Sequence, residues 1–181
     1  MVAINVTQGL LSRELKLARR NDSHNGFLRQ LGFTRGEMRS WELLEDREVG
    51  LEIGTYEMGI EAVPHMLRSD EILEAARGAL LPGERIASCL LEQPKISFEL
   101  CRELRHIAVR EAEVLFLGTQ WDDGDSSTVF PSLRYERDRH GWRAKELTVL
   151  MLGKIGERLA HEVVLPDLEP AKFYIAVLHK K

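Results

Sequence analysis

The 181-residue sequence predicts a mainly α-helical fold, a compact helical domain with a β-hairpin at about 132–148 and a long C-terminal helix. Three observations support this prediction. Apolar residues recur at helical spacing over 8–20 and again over 147–163, with charged residues between them. The segment Thr34-Arg-Gly-Glu37 fits a capping box, in which the hydroxyl and the carboxylate each bond the other residue's amide. Gly and Pro fall where these helical patterns stop.

In the first half of the chain, four helices are predicted before residue 54. The first spans 8–20, and a second, short one ends at Gly32, a residue that tolerates the positive φ common at helix ends. The capping box opens a third helix that runs through Leu44, and Asp46 is predicted to cap a fourth through Ile53. The segment 55–63 is the least helical and is predicted as either a short strand or extended chain.

A further helix is predicted from 69 or 70 to about 80, and another follows the turn Pro82-Gly83. Residues 97–117 then have the size of a helix-turn-helix, with a break near 105–107 and "VREAEVLFL" as the recognition helix. Residues 118–132 are predicted to form a long loop. The final helix stops before Pro166, and 172–179 is left open between helix and strand. We therefore expect a helical domain over 1–117, the loop, and a hairpin with C-terminal helix over 133–181 on the same core.

Composition places the chain among cytoplasmic globular proteins. An apolar fraction of 44% is sufficient for a core, and no apolar run approaches the roughly 18 residues of a membrane span. The N-terminal segment lacks the pattern of a secretory leader. Cys89 and Cys101 are predicted to be buried, reduced thiols, because they form no metal-binding or redox spacing.

Charge is distributed unevenly along the sequence, although the net charge is only −4. Residues 1–31 carry a net +3, 32–96 a net −6, 97–126 a net −4 and 127–181 a net +3. A polyanion is therefore expected to approach only the ends of the chain, since the acidic centre repels it.

Sequence motifs of the common enzyme classes are missing. The chain has no phosphate loop, no dinucleotide-binding glycine pattern, no nucleophile elbow and no His-Glu-x-x-His. The six histidines are scattered, and the three aspartates of "WDDGDSS" do not have the spacing of a calcium loop. We therefore predict no metal and no cofactor, and whether the protein is an enzyme is left uncertain, leaning against it.

The segment "RYERDRHGWRAK", at 134–145, is the strongest functional signal. Asp138-Arg-His-Gly141 is typical of a turn, so the flanking residues are predicted to form a hairpin. The segment carries a net +3, and arginines at a hairpin tip reach phosphates while an aromatic side chain, Trp142 or Tyr135, packs on a sugar or base. The predicted nucleic-acid contacts are Arg134, Arg137, Arg139, Arg143, Lys145 and Trp142, with Arg110 from the helix-turn-helix.

Two stretches resemble a known family. Residues 28–53, "LRQLGFTRGEMRSWELLEDREVGLEI", are similar to the flagellar master-regulator D subunit and to uncharacterised proteins of integrative conjugative elements. Residues 96–114, "ISFELCRELRHIAVREAEV", are similar to the helical pair that follows in those mobile-element proteins. The resemblance covers about residues 8–117, and the basic hairpin and last helix have no counterpart in it. It implies an all-helical, dimeric, DNA-binding regulator.

Two functional hypotheses follow. The first is a DNA-binding transcriptional regulator or accessory factor that contacts phosphates through the basic hairpin. The alternative is a protein-interaction module, such as an adaptor, immunity or inhibitor protein, that engages a basic partner through its acidic face at 42–74. The expected partners are thus nucleic acid, a protein or a second copy in a homodimer, and no membrane.

Overall fold

The structure is a computed structural model that describes residues 1–15, 42–62, 74, 78–93, 99–100, 102, 111–122, 128–138, 141–151 and 173–181. For residues 62, 111, 138, 141–151 and 173 the description covers the backbone. Within these residues the protein is mainly β, because eight strands form one mixed sheet. The predicted mainly helical fold is therefore wrong.

The described elements begin with strand β1 and end with strand β8. The strands are β1 Val2–Val6, β2 Glu42–Asp46, β3 Gly54–Ala62, β4 Glu111–Leu115, β5 Thr119–Asp122, β6 Thr128–Asp138, β7 Gly141–Met151 and β8 Phe173–Lys180. The helical elements are α1 Gln8–Leu11, a 3-10 turn at Arg47–Gly50 and α2 Glu84–Glu92, and residues 74, 99–100 and 102 are also helical.

The sheet has the order β1-β3-β8-β4-β6-β5-β2, with β7 paired to β6. All pairs are antiparallel except β4 with β8, which is parallel. β4 and β5 act as one long strand with a bend at 116–118, since both pair with the same strand β6. On the side away from β6, these two strands have different neighbours: β8 pairs with β4, and β2 pairs with β5.

The central strands β4 and β6 explain why the helical pattern of the sequence was misleading. Residues 112–117 are all buried, as are 129–133, so these strands are covered on both faces. A strand buried on both faces reads as a continuous apolar run, which periodicity does not distinguish from a buried helix. The predicted recognition helix "VREAEVLFL" is therefore wrong, because Glu111–Leu115 is β4.

Other predicted helices are replaced by strands over the described residues. Of the helix predicted over 8–20, residues 8–15 are described and contain only the short α1, and Glu42–Asp46, placed in the third and fourth helices, is β2. Asp46 precedes a 3-10 turn without a side-chain cap bond. Residues 147–151 of the predicted last helix belong to β7, and the predicted loop 118–132 contains β5 and the start of β6. The capping box and residues 152–163 lie outside the described residues.

Several local predictions are confirmed. The helix after Pro82-Gly83 is α2, whose Ile86 and Leu90 are buried. Two segments that the sequence left open, 55–63 between strand and extended chain and 172–179 between helix and strand, lie almost wholly in β3 and β8. The hairpin is also present, and β6 and β7 make it longer than predicted. α2 packs against β6 and β7, so the helix lies on the hairpin. The largest fully buried side chains of the core are Tyr56, Met58, Ile86, Leu90, Leu100, Phe116, Phe130, Tyr135 and Tyr174.

Candidate nucleic-acid interface

The hairpin of β6 and β7 holds most of the predicted nucleic-acid contacts. Its register runs from Val129 opposite Met151 to Asp138 opposite Gly141, the first and last residues of the predicted turn. The register shifts between Arg134 and Tyr135, so Lys145 is an extra residue without a direct partner on β6. Arg139 and Arg110 lie outside the described residues, and their predicted contacts stay predictions.

Arg134 lies midway along the hairpin in an acidic neighbourhood. Its guanidinium Nε is 3.7 Å from the Glu136 carboxylate, and its side chain is 24% exposed. In the backbone register it stands opposite Glu113 on β4 and Glu146 on β7. Arg134 is thus paired with Glu136 within the fold, and its predicted phosphate contact stays a prediction.

Arg137 is exposed and lies close to the turn. No ion pair of this arginine occurs among the described residues. Its register partner is Trp142, and the preceding pair is Glu136 with Arg143. Residues directly opposite each other stand on the same face of a sheet, so positions 137 and 142 share one face and 136 and 143 the other. The face of Arg137 thus carries positive charge at the tip without a carboxylate beside it in register.

Tyr135 is not available to a ligand. Its side chain is fully buried in the core, as is Leu133 on the same face of β6. Burial on this face therefore ends between positions 135 and 137. Of the two aromatic residues predicted to contact a sugar or base, Trp142 stays a prediction, and its backbone pairs with Arg137.

Most of the described carboxylates of residues 42–62 are paired within the fold. The ion pairs join Glu45 to Arg47, Asp46 and Glu48 to Arg85, Glu52 to Lys180, and Glu57 to Lys181. β8 brings two of these cations next to β3 from the far end of the chain. The acidic face expected over 42–74 is consequently neutralised at many of its described positions.

The pairing of Glu52 gives a titration prediction. Its bond to Lys180 lowers the pKa of Glu52, so the pair contributes stability above the ordinary carboxyl pKa and loses it as pH falls through the lowered value. Lys180→Met is expected to raise the pKa of Glu52 toward its ordinary value in an NMR titration. Glu57 is the internal control, because its pKa is lowered chiefly by Lys181 and should stay low in this variant. An unchanged Glu52 pKa would contradict the pairing.

A second group of polar side chains surrounds the start of α2, and nothing in the sequence pattern indicated it. Glu48 is fully buried, and its carboxylate accepts from the backbone amides of Gly83, Arg85 and Ile86 at 2.8–2.9 Å. The Thr119 hydroxyl accepts from the amide of Glu84 at 3.0 Å. These two side chains satisfy all four amides that the first turn of a helix leaves without an intrahelical acceptor.

Arg85 connects this group to the rest of the molecule. Its guanidinium bonds Asp46 at 2.7 Å and the backbone carbonyl of Arg13 at 2.7 Å, and it lies 3.6 Å from Glu48. Burial raises the pKa of Glu48, and the three amides and the guanidinium oppose that rise. Both Glu48 oxygens are occupied by these donors and are closed to solvent. The group, which we call the helix-start cluster (Asp46, Glu48, Gly83, Arg85 and Thr119), is therefore structural rather than catalytic.

No family model, curated protein or solved structure matches the chain. The resemblance to flagellar regulators therefore stays a prediction, although the all-helical fold that it implies is not the fold found. In the described ranges no cluster of three or more His, Cys, Asp or Glu side chains is arranged to hold a metal ion. No helix there is both long and apolar enough to cross a bilayer. Cys89 is half-buried, and burial raises the pKa of its thiol, which disfavours the reactive thiolate.

Proposed function

We propose that this protein binds nucleic acid through the hairpin tip, the segment 137–145 at the β6–β7 turn. The observation that carries the proposal is the position of Arg137, which is exposed beside the turn and has no carboxylate as its register partner. Arg139, Arg143 and Lys145 lie in the same short segment. Cationic side chains at the end of a two-stranded ribbon are suited to phosphate contact, and Arg137 lies one residue past Glu136, the last β6 position that pairs with β4 among the described residues.

Internal pairing of the acidic residues also supports the proposal. A protein with a net charge of −4 repels a polyanion only to the extent that its carboxylates are uncompensated near the contact. Here many of the described carboxylates of 42–62 have Arg or Lys partners, and they belong to β2, β3 and the turn between them, not to the hairpin tip. The tip thus keeps a local positive charge.

The proposal is narrower than a transcriptional regulator. The segment 97–117 does not form the predicted helix pair, so sequence-specific reading of a groove by a recognition helix is not part of it. We infer binding of the phosphate backbone by a cytoplasmic protein. A homodimer stays a prediction.

The test is Arg137→Glu in fluorescence anisotropy with labelled random-sequence DNA, single-stranded and duplex, at about 50 mM salt. We expect wild type to bind with an affinity that falls with salt, and the variant to bind about tenfold more weakly with a salt slope smaller by about 1. The matched control is Arg102→Glu, which changes the net charge equally at an exposed arginine in the acidic segment 97–126. Its affinity should stay within about twofold of wild type.

Two results would overturn the proposal. One is no binding of either DNA by wild type at low salt, and the other is equal weakening by both variants, which would mean a response to net charge alone. Capture of a basic protein by wild type and Arg137→Glu alike would instead favour the alternative of a protein-interaction module. One structural feature suits that alternative, since Leu43 and Leu44 on the edge strand β2 are 46% and 53% exposed.

A further inference from the structure

The main path of the sheet ends in two edge strands that differ in charge. β1 and β2 are its first and last strands, and each pairs with one neighbour among the described residues. β2 carries three carboxylates in five residues, and its register with β5 shifts between Leu43 and Glu45. β7, which pairs with β6 off this path, carries three charged residues as well. Charged side chains and bulges hinder the pairing of a further strand with an edge.

β1 has neither of these protections. Val2–Val6, with the sequence VAINV, contains no charged residue and no proline, and its register with β3 is regular throughout. Within the described residues, no backbone hydrogen bond joins this strand to an element other than β3. In an antiparallel pair only alternate residues bond the neighbouring strand, so the N–H and C=O groups of the others point outward. β1 is therefore a neutral edge whose outward backbone groups suit a further strand.

We propose that β1 pairs antiparallel with β1 of a second copy, which makes one continuous sheet across a two-fold axis. A two-fold interface joins the same patch on both copies, so the strand has to be compatible with its own sequence. β1 meets this condition because it opposes no like charges, and it offers no countercharge to a charged partner segment. The same pairing of β2, centred on Leu44, would place Glu42 opposite Asp46 of the second copy, and like charges directly opposite each other are destabilising.

This pairing preserves the burial pattern of β1. Val2, Ile4 and Val6 are buried in the core, whereas Ala3 and Asn5 are exposed on the other face. The residues with outward N–H and C=O groups are alternate ones and are the same in both copies, so each bonded pair joins two residues of one face. When the pairing centres on Ile4, Val2 stands opposite Val6 of the second copy and Ala3 opposite Asn5. The core sides of both copies then lie on the same side of the joined sheet.

The experiment measures self-association of the full chain by sedimentation velocity. Five residues per copy make a small interface, so we expect a monomer–dimer equilibrium between about 2 and about 200 µM protein. Ala3→Lys should weaken the dimer at least about tenfold, because each copy then brings the same charge to the edge. Ala3 is exposed and stands opposite Glu57 on β3, so the lysine should leave the circular dichroism spectrum of each copy unchanged.

The matched control is Leu44→Lys, which adds the same charge at an exposed position of the other edge strand, β2. Its dimer Kd should stay within about twofold of wild type. Hydrogen exchange supplies a second readout that needs no variant. The outward amides of Val2–Val6 should exchange more slowly as the protein concentration rises, whereas the exchange of Glu42–Asp46 should not change.

Three results would each overturn the inference of a second copy at β1. They are a wild type that stays monomeric over this range, a dimer that Leu44→Lys weakens as much as Ala3→Lys does, and β1 amides whose exchange does not depend on concentration. Protection of these amides only after another protein is added would also overturn it, and would assign the edge to a strand of that partner. None of these results bears on the proposed function, because β1 is not part of the hairpin.

Discussion

Replacing Glu48 with alanine is expected to lower the free energy of unfolding by about 3–5 kcal/mol. The carboxylate is the acceptor for three backbone amides at the start of α2, all at 2.8–2.9 Å, and it is completely closed to solvent. Its removal leaves those amides buried without an acceptor, and each such group costs about 1–3 kcal/mol. It also removes one of the two carboxylates near the Arg85 guanidinium.

Urea denaturation monitored by circular dichroism measures this loss, and two further variants separate its causes. Glu48→Gln keeps one carbonyl oxygen to accept from Gly83 and Ile86, but its amide group places a second N–H donor against the amide of Arg85. Its free energy of unfolding should therefore lie between those of wild type and Glu48→Ala. Glu42→Ala is the surface control, because this exposed glutamate is expected to contribute less than about 0.5 kcal/mol. A loss below about 1 kcal/mol for Glu48→Ala would show that water or the polar surroundings replace the carboxylate.

The hairpin shows which part of the fold the sequence predicts well. Its turn depends on residues 138–141, which are adjacent in the chain, so Asp and Gly at those positions are enough to locate it. The same holds for α2, where Pro82-Gly83 precedes a nine-residue amphipathic helix. The sequence analysis missed β1, although its signal is local. Val2, Ile4 and Val6 alternate with exposed residues, which is the pattern of a half-buried strand.

The central strands and the helix-start cluster were beyond local reasoning for a different reason. The run from Val114 to Leu117 is equally compatible with a buried strand or a helix, and only the neighbours β6 and β8 decide between them. Glu48 lies 35 residues before Gly83, and no local rule pairs a glutamate with a helix that begins so far along the chain. In the sequence it was one acid of an acidic segment, and in the fold it caps a helix.

Gly118→Ala is expected to lower the free energy of unfolding by about 3 kcal/mol or more, because it disturbs the segment before α2 that Glu48 also binds. Gly118 lies at the bend between β4 and β5, where its amide donates to the Pro82 carbonyl at 2.9 Å and its carbonyl accepts from Arg47 at 2.7 Å. A Cβ atom at this residue would lie 2.3 Å from the Leu81 carbonyl oxygen and 2.8 Å from the Pro82 carbonyl carbon. These neighbours are backbone atoms, so relief requires the segment before α2 to move.

The control for this prediction is Gly54→Ala, because no atom lies within 4 Å of a Cβ at the start of β3. Its free energy of unfolding should stay within about 1 kcal/mol of that of wild type.

A double variant tests whether Gly118 and Glu48 act on the same part of the structure, because moving the segment before α2 also withdraws the amide of Gly83 from Glu48. We therefore expect Gly118→Ala with Glu48→Ala to lose less free energy of unfolding than the sum of the single losses. Simple additivity would mean that the bend and the helix cap are energetically independent, although Gly118 contacts Pro82 and Glu48 bonds its neighbour Gly83.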